Sequence, residues 1–578
     1  MPRVDRGQVA LWLAGLGFGV TALSQANVQL FSSAKTLEAA EQSKRYEVGR
    51  TDFAARGNIY SADGQLLAQN ADTFELGIQF AKVPHSPGFF SALAAAAGIS
   101  VSELQSAADA GRKSLSFRRE LSIESARQVE AVKASWRADG VSLHRTQKRD
   151  YALGAAAAGI VGRMVEGRAV TGLELSQNQN LAGENGFQKG LVDRTGAFLP
   201  MRMAGESKPR RNGETIRLTI HSALQESASQ SVRAAVERNK ADSGVAVVLD
   251  PKTGNILAMA QWPAYEEGMK AEVARQADFN PAIMGTYEPG STFKILTLAE
   301  AIDHGKCNPG QHLYCGGTLQ INSAWRIRCD EHHGTRAHGS VDAEVAIAKS
   351  CNVSAATWAL RIGYPEMVKF LEQLGLLEKT GLGLPGERAG LFNRNEYAKP
   401  LQIANVGFGQ AISCTPVALA SAFATLANDG VRLSPRLIDS VGRQIQPPAT
   451  ATTILKPESA HTVMKLMEAV IQSDAGTGKG LRVPGYRLAG KTGTAQKIGG
   501  EKSGGHVSSF VGYVPSTNTE AVILVMIDNP KGGQFYGSQV AGPVFLDLAK
   551  TVIRVRNIAP TEPIRAESKP RAQPSPSR

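Results

Sequence analysis

In the run "EPGSTFKILT", Ser291 and Lys294 stand three positions apart directly after Pro289-Gly290. The Pro-Gly pair reads as a turn and Ser291 as the start of a helix, so the hydroxyl and the amine share one face, a turn apart. A serine hydroxyl is a weak nucleophile until a base removes its proton. A lysine that is desolvated and close to another cation can be neutral enough to do so. The start of a helix also favours negative charge developing there. Alone, a serine cap followed by a helical lysine is a common pattern with no chemistry attached.

Two further stretches change its weight. In "AKSCNVS", Ser350 and Asn352 follow an apolar helical run, and a short break between helices would bring both to a cleft. In "LAGKTGTAQ", read as a strand, Thr492 and Thr494 share a face by period two, Lys491 precedes them, and Gly493 leaves room for a ligand to approach the backbone. Each piece alone is an ordinary cap or strand. In this order, with 59 residues from Ser291 to Ser350 and 141 from Ser350 to Lys491, they form the S-x-x-K, S-x-N, K-T-G set of the penicillin-binding proteins and serine β-lactamases.

The elements that must position these residues follow from pattern. "SGVAVVLDPKTGNILAMAQWP" reads as a β-hairpin, two β-branched runs flanking turn residues at 250–254. Helical periodicity dominates from Ser291 to about Leu426, and strands return in "YRLAGKTGTAQ", "VSSFVGYVP" and "EAVILVMIDN". Helices enclosed between opening and closing strands make one α+β domain, expected over 216–556. Ahead of it, 35–215 is mixed and carries no cluster suggesting chemistry, with the Ala-rich helical stretch "SALAAAAGISVSELQSAADAGRK" and the strand-like "GLVDRTGAFLP". The turn at Pro209–Gly213 and the alternating "ETIRLTIHSALQ" mark the boundary. The tail 557–578 is Pro-rich and expected to be disordered.

The chain has 578 residues, with 42% apolar and 20% charged composition, enough for more than one core. A net charge of +12 suits an acidic neighbourhood such as anionic lipid or wall polymer. No basic run with interleaved aromatics and no nucleic-acid module is present, so nucleic acid is not an expected partner. At the N-terminus, Arg3 and Arg6 precede an uncharged stretch to Ala34 whose apolar centre runs from Val9 to Leu23. We read 1–34 as a cytoplasmic N-terminus and single-pass anchor in the inner membrane, with the rest outside; a signal peptide cleaved after Ser24-Gln25-Ala26 is the alternative.

More of the chain resembles the class B penicillin-binding proteins, the monofunctional peptidoglycan D,D-transpeptidases. The likeness runs through "ARGNIYSADGQLLA", "GLE" at Gly172–Glu174, "LTIHSALQ", "AVVLDPKTGNILAMA", "YEPGSTFK", "GQAISCTPVALASAFATLANDG", "GYRLAGKTGTAQ" and "FYGSQVAGPVF". The sequence departs from the family at Ser61-Ala62, usually Asp-Arg, and at His221, usually Asp. The resemblance implies a five-stranded antiparallel sheet flanked by helices, set on an elongated N-terminal pedestal. It implies that Ser291 attacks the D-Ala-D-Ala bond of a stem peptide, releases D-Ala, and yields the acyl group to an amine, with β-lactams acylating the same serine. Lys294 would be the base, kept neutral by the charge of Lys491. Ser350 would pass a proton to the leaving amine, and Asn352 would bind a substrate amide. Lys491, Thr492 and Thr494 would hold the donor carboxylate, and the N–H groups of Ser291 and Thr494 the oxyanion. The chemistry needs no cofactor. A division role is favoured over an elongation role, with a membrane glycosyltransferase as partner. Hydrolytic release, as in a β-lactamase or carboxypeptidase, and a non-catalytic penicillin sensor or scaffold are the rival readings.

The five cysteines leave at least one unpaired. Cys315, Cys329, His338 and Cys351 form C-x13-C-x8-H-x12-C, and Cys351 lies inside the S-x-N motif itself. Three thiolates and an imidazole suit tetrahedral zinc, with His332 and His333 competing for the fourth position. A Cys315–Cys329 disulfide is the alternative. Resemblance to elongation and sporulation relatives with ligands at matching places tilts the reading toward a structural zinc bracing the S-x-N loop.

Overall fold

The computed structural model describes residues 6–26, 47–192, 198–200, 207–329, 337–394, 399–497 and 505–563. Of the expected tail 557–578, residues 564–578 lie outside the described residues, as do His332 and His333, whereas 557–563 pack back on the domain, the Thr561 N–H donating to the Gly485 carbonyl at 2.9 Å and the Thr561 hydroxyl accepting from the Arg487 N–H at 2.8 Å. The chain divides into two compact units, one of residues 1–56 with 182–213 and one of 57–181 with 214–578. In the first, strand Glu47–Asp52 pairs antiparallel with Gly186–Val192, which pairs with Phe198–Pro200. The first unit also has a helix at Arg6–Ala26. No helix of the described residues is long and apolar enough to cross a membrane.

In the second unit one sheet draws on both sides of residue 215: Ile216–Leu218 pairs parallel with Ile59–Tyr60 and antiparallel with Ile438–Val441. The Gly-Leu-Glu motif has a structural reason here. Glu174 is fully buried and takes the Arg149 Nε hydrogen at 2.7 Å, while the same guanidinium donates to Asn70 Oδ1 and to the carbonyl of Gly57. The departure at His221 is met locally: Asp63 accepts from the backbone N–H of Ser222 at 3.0 Å and from its hydroxyl at 2.5 Å.

The catalytic elements are built on helix α1 (Ser222–Asn239), strands β1 (Ser243–Leu249) and β2 (Ile256–Trp262), and helices α2 (Lys294–Asp303), α3 (Ala343–Ala348), α4 (Asn352–Ile362) and α5 (Pro416–Ala427). Helix α6 (Pro457–Gln472), strands β3 (Ala489–Gln496), β4 (His506–Val514) and β5 (Ala521–Asp528), and helix α7 (Gly542–Val555) complete them. The sheet is five-stranded and antiparallel throughout, in the order β2-β1-β5-β4-β3. Its period-two alternation separates two cores. Ala246, Val248, Phe510, Ile523 and Val525 face α1 and α7, whereas Val245, Val247, Val511, Val522 and Leu524 face the helices that carry the nucleophile. Both faces are covered, which is why β1 and β5 read as unbroken apolar runs.

The region between α2 and α3 departs from the helical expectation. It holds four three-residue strands, Leu313–Cys315 pairing with Gly339–Val341 and Thr318–Gln320 pairing with Arg326–Arg328. Strands this short present too few residues for a period to register.

Candidate active site

Pro289 and Gly290 make the expected turn, and Ser291 sits in a 3-10 turn, Gly290–Thr292, that runs into α2. Gly290 has φ +57°, and a side chain there would meet Ala495 Cβ at 3.2 Å, so only glycine lets the nucleophile turn lie this close to β3. Lys294 is 1% exposed and Lys491 0%. Lys294 Nζ donates to the Ser350 carbonyl at 2.6 Å and to Ser350 Oγ at 3.0 Å, and Lys491 Nζ donates to the same Oγ at 3.0 Å. The hydroxyl of Ser350 thus bridges two buried amines. Burial, and then the neighbouring Lys294, hold Lys491 well below the usual lysine range. Two charged amines on one hydroxyl are thereby disfavoured.

Ser350 lies in the break between α3 and α4 and adopts φ +58°, a left-handed conformation uncommon for a residue with a side chain. Strain of about 1–3 kcal/mol at such a position persists only where surrounding contacts impose it. Here these are the two lysines on one side and the cysteine cluster on the other. Asn352 begins α4; its side-chain amide donates to the Arg328 carbonyl at 2.9 Å and its backbone N–H to Cys329 Sγ at 3.2 Å. Cys351 caps the same helix, its sulfur accepting from the Ser354 backbone and hydroxyl at 3.4 and 3.2 Å.

On β3, Lys491 Nζ also donates to the Thr492 carbonyl at 3.0 Å. The Thr494 hydroxyl accepts from the Gly537 N–H at 3.3 Å. The space that Gly493 leaves is filled by the protein rather than kept for a ligand: a side chain there would meet Ser509 Oγ at 2.3 Å and Thr292 Cγ2 at 2.9 Å. Close approach is indeed what this glycine provides, but to the Ser291 turn. Motif reading missed Thr477, whose Oγ1 lies 3.2 Å from that of Thr492 and extends the hydroxyl row beside the lysines. Its only sequence signal is the small-residue run "AGTGKG" ahead of the strand.

All five cysteines are free and buried. Cys315, Cys329, His338 and Cys351 bring their ligand atoms within 4.8 Å of one another. Cys315 Sγ and Cys329 Sγ lie 3.6 and 3.5 Å from His338 Nδ1, and Cys329 Sγ lies 3.6 Å from Cys351 Sγ. Tetrahedral zinc needs edges of about 3.8 Å between sulfurs and about 3.6 Å between sulfur and nitrogen. The residues present therefore fit the metal in donor type and spacing.

An assembled serine, two buried lysines and a strained S-x-N serine match known proteins along the chain. Residues 244–550 match the penicillin binding protein transpeptidase domain, and residues 51–218 the penicillin-binding protein dimerisation domain. The chain belongs to the class B penicillin-binding proteins. It is 30% identical over 520 residues to the probable peptidoglycan D,D-transpeptidase PenA of Neisseria meningitidis, covering 89% of this chain and 86% of the relative. It is 28% identical over 518 residues to the peptidoglycan D,D-transpeptidase FtsI of Escherichia coli, covering 88% and 84%. The crystal structure of penicillin-binding protein 3 from Mycobacterium tuberculosis in complex with aztreonam superposes with a TM-score of 0.66 at 27% identity, covering 90% of this chain and all of that one. Within this family the six motif residues Ser291, Lys294, Ser350, Asn352, Lys491 and Thr494 occupy one block of sheet and helix.

Proposed function

We propose that this penicillin-binding protein is a serine D,D-transpeptidase that cross-links peptidoglycan stem peptides and is acylated by β-lactams. The observation that carries the reading is the shared hydrogen-bonding of Lys294 and Lys491 to Ser350 Oγ at 3.0 Å each, one helical turn from Ser291. Lys294 takes the Ser291 proton as the hydroxyl attacks the penultimate D-Ala carbonyl. The N–H groups of Ser291 and Thr494 stabilise the oxyanion. Ser350, between the two amines, passes a proton to the departing D-Ala, and Lys491 with the Thr492 and Thr494 hydroxyls orients the donor carboxylate. An amine of a second stem peptide then resolves the acyl-enzyme.

Cys315, Cys329, His338 and Cys351 would hold a structural zinc in this reading. The metal would supply charge neutralisation for adjacent thiolates. The chain's own part is to hold Asn352 through the Cys329 sulfur and to start α4 at Cys351. The segment 1–34 would anchor the chain in the inner membrane, supported by Arg3 and Arg6 ahead of an uncharged stretch. A membrane glycosyltransferase of the division machinery would be its partner.

The test is covalent labelling by fluorescent penicillin followed by a donor and acceptor assay. Label on Ser291 with amine-dependent cross-linked product is the expected result, and Ser291→Ala should fold and remain unlabelled. Fast hydrolytic release without cross-linking would replace the reading with a β-lactamase or carboxypeptidase, and no label with a scaffold.

A further inference from the structure

Beside the Ser291 turn, and outside the motif residues, lies a cavity of about 570 Å³. Its walls include Leu391, Ile412 and Met526, and its polar groups include Glu288, Lys497 and Asp528. The volume falls within the range of about 300–1,000 Å³ typical of ligand sites. Lys497 and Asp528 neutralise each other at 2.9 Å, which leaves Glu288 as the acid without a counter-charge. Glu288 Oε1 accepts from the Ala411 N–H at 2.9 Å, while Oε2 is buried with no partner among the described residues. Leaving such an oxygen unsatisfied costs about 1–3 kcal/mol.

The cavity's position ties it to the reaction. Glu288 precedes Ser291 by three residues, no more than about 11 Å of chain, and the lining also takes in Ala495 and Gln496, the end of the K-T-G-T strand, with Lys497 directly after it. An aliphatic arm with a cation at its end satisfies both the apolar walls and the open carboxyl oxygen.

On the reading of the enzyme as a transpeptidase, we propose that this cavity is a subsite for a stem-peptide side chain ending in a primary ammonium, held by Glu288. Burial pushes the Glu288 carboxyl above its usual range, partly offset by the Ala411 hydrogen bond. An ammonium in the cavity favours the charged carboxylate and completes its hydrogen bonding. The ammonium can belong to the donor stem, where it stays charged, or to the acceptor stem, where it passes a proton to the Glu288 carboxylate before the free amine attacks the acyl-enzyme carbonyl and releases Ser291, and the two are separable by assay.

The experiment uses the full chain and Glu288→Gln, whose amide oxygen still accepts from Ala411. For the donor arm, two thioester donors differing only in lysine or norleucine ahead of the scissile unit are compared by acylation rate. For the acceptor arm, a neutral thioester donor is resolved with a lysine-bearing tripeptide, and the ratio of aminolysis to hydrolysis is measured. Both arms are referenced to benzylpenicillin acylation of the same variant. One of the two ratios should fall about tenfold in Glu288→Gln, and the arm that falls identifies the source. Lys497→Met, which strips Asp528 of its counter-charge, should move the same ratio the opposite way. If neither ratio changes more than about twofold in Glu288→Gln, or all rates fall together, Glu288 only holds the Ser291 turn and the proposal is overturned. Wild-type protein that takes no penicillin on Ser291, or transfers to no amine, would instead defeat the transpeptidase reading itself.

Discussion

Replacing Lys491 with methionine separates what this lysine does for the reaction from what it costs the fold. The side chain is 0% exposed, and its Nζ donates to Ser350 Oγ and to the Thr492 carbonyl at 3.0 Å each. Losing two such bonds costs about 1 kcal/mol apiece. Against this, methionine of similar length removes a group whose charged form is opposed by burial and by Lys294. The two effects oppose each other, so Lys491→Met should be destabilised by less than about 2 kcal/mol, the cost of its two lost hydrogen bonds. Acylation should behave quite differently. The donor carboxylate loses a hydrogen-bond donor and Ser350 loses one of its two amines, and acylation by fluorescent penicillin should fall by about three orders of magnitude. The pH profile adds a sign. Acylation needs an amine free of its proton, so the rate rises with pH as the lysine pair gives up a proton, with Lys491 held below the usual lysine range. The repulsion between the two is mutual; without Lys491 the remaining amine holds its proton more tightly, and the acid limb moves to higher pH. Stopped-flow acylation from pH 5 to 10 with denaturant melts measures both. A variant destabilised by more than about 2 kcal/mol, or one acylating within tenfold of wild type with an unmoved acid limb, would refute the reasoning.

Wild-type protein should purify with one zinc per chain and Cys329→Ser with less, and the variant should acylate about tenfold more slowly with Ser291 intact, because Asn352 loses its sulfur acceptor; elemental analysis finding no zinc in wild type, with a Cys315–Cys329 bridge by mass spectrometry, contradicts this. Glu174→Ala should lower stability by about 3–5 kcal/mol, since it leaves Arg149 buried without its anion; a midpoint in urea indistinguishable from wild type would count against the buried pair. Thr477→Val should weaken acylation about fivefold, the equivalent of one hydrogen bond of about 1 kcal/mol, through poorer binding more than slower chemistry, and Thr477→Ser should restore it. A valine variant with unchanged kinetics removes Thr477 from the site.

The legible parts of this protein are those where a short-range pattern has one physical reading. The unbroken apolar, β-branched runs "VAVVL" and "AVILVMI" set the strands that divide two cores, and the serine expected at the start of a helix lies in a 3-10 turn that leads into it. The five-stranded antiparallel sheet, by contrast, was accessible only through resemblance, because neighbours such as β1 and β5 are distant in sequence and nothing local encodes their register.

The strained serine shows where local reading ends. Nothing in "AKSCNVS" announces φ +58° at Ser350, since that conformation is imposed from outside the segment. Lys294 takes both its carbonyl and its hydroxyl, Lys491 takes the hydroxyl from a strand 141 residues away, and Cys329 and Arg328 fix the residue two positions on. The cysteine spacing was visible in the sequence, but its relation to the catalytic loop was not, because it runs through two three-residue ribbons with no readable period. The same ribbons make the loop conformation depend on contacts from three separate stretches of chain. A cluster that holds Cys329 and Cys351 in place therefore acts on catalysis through Ser350 and Asn352 without touching the nucleophile, and its loss should lower acylation while leaving Ser291 chemically competent.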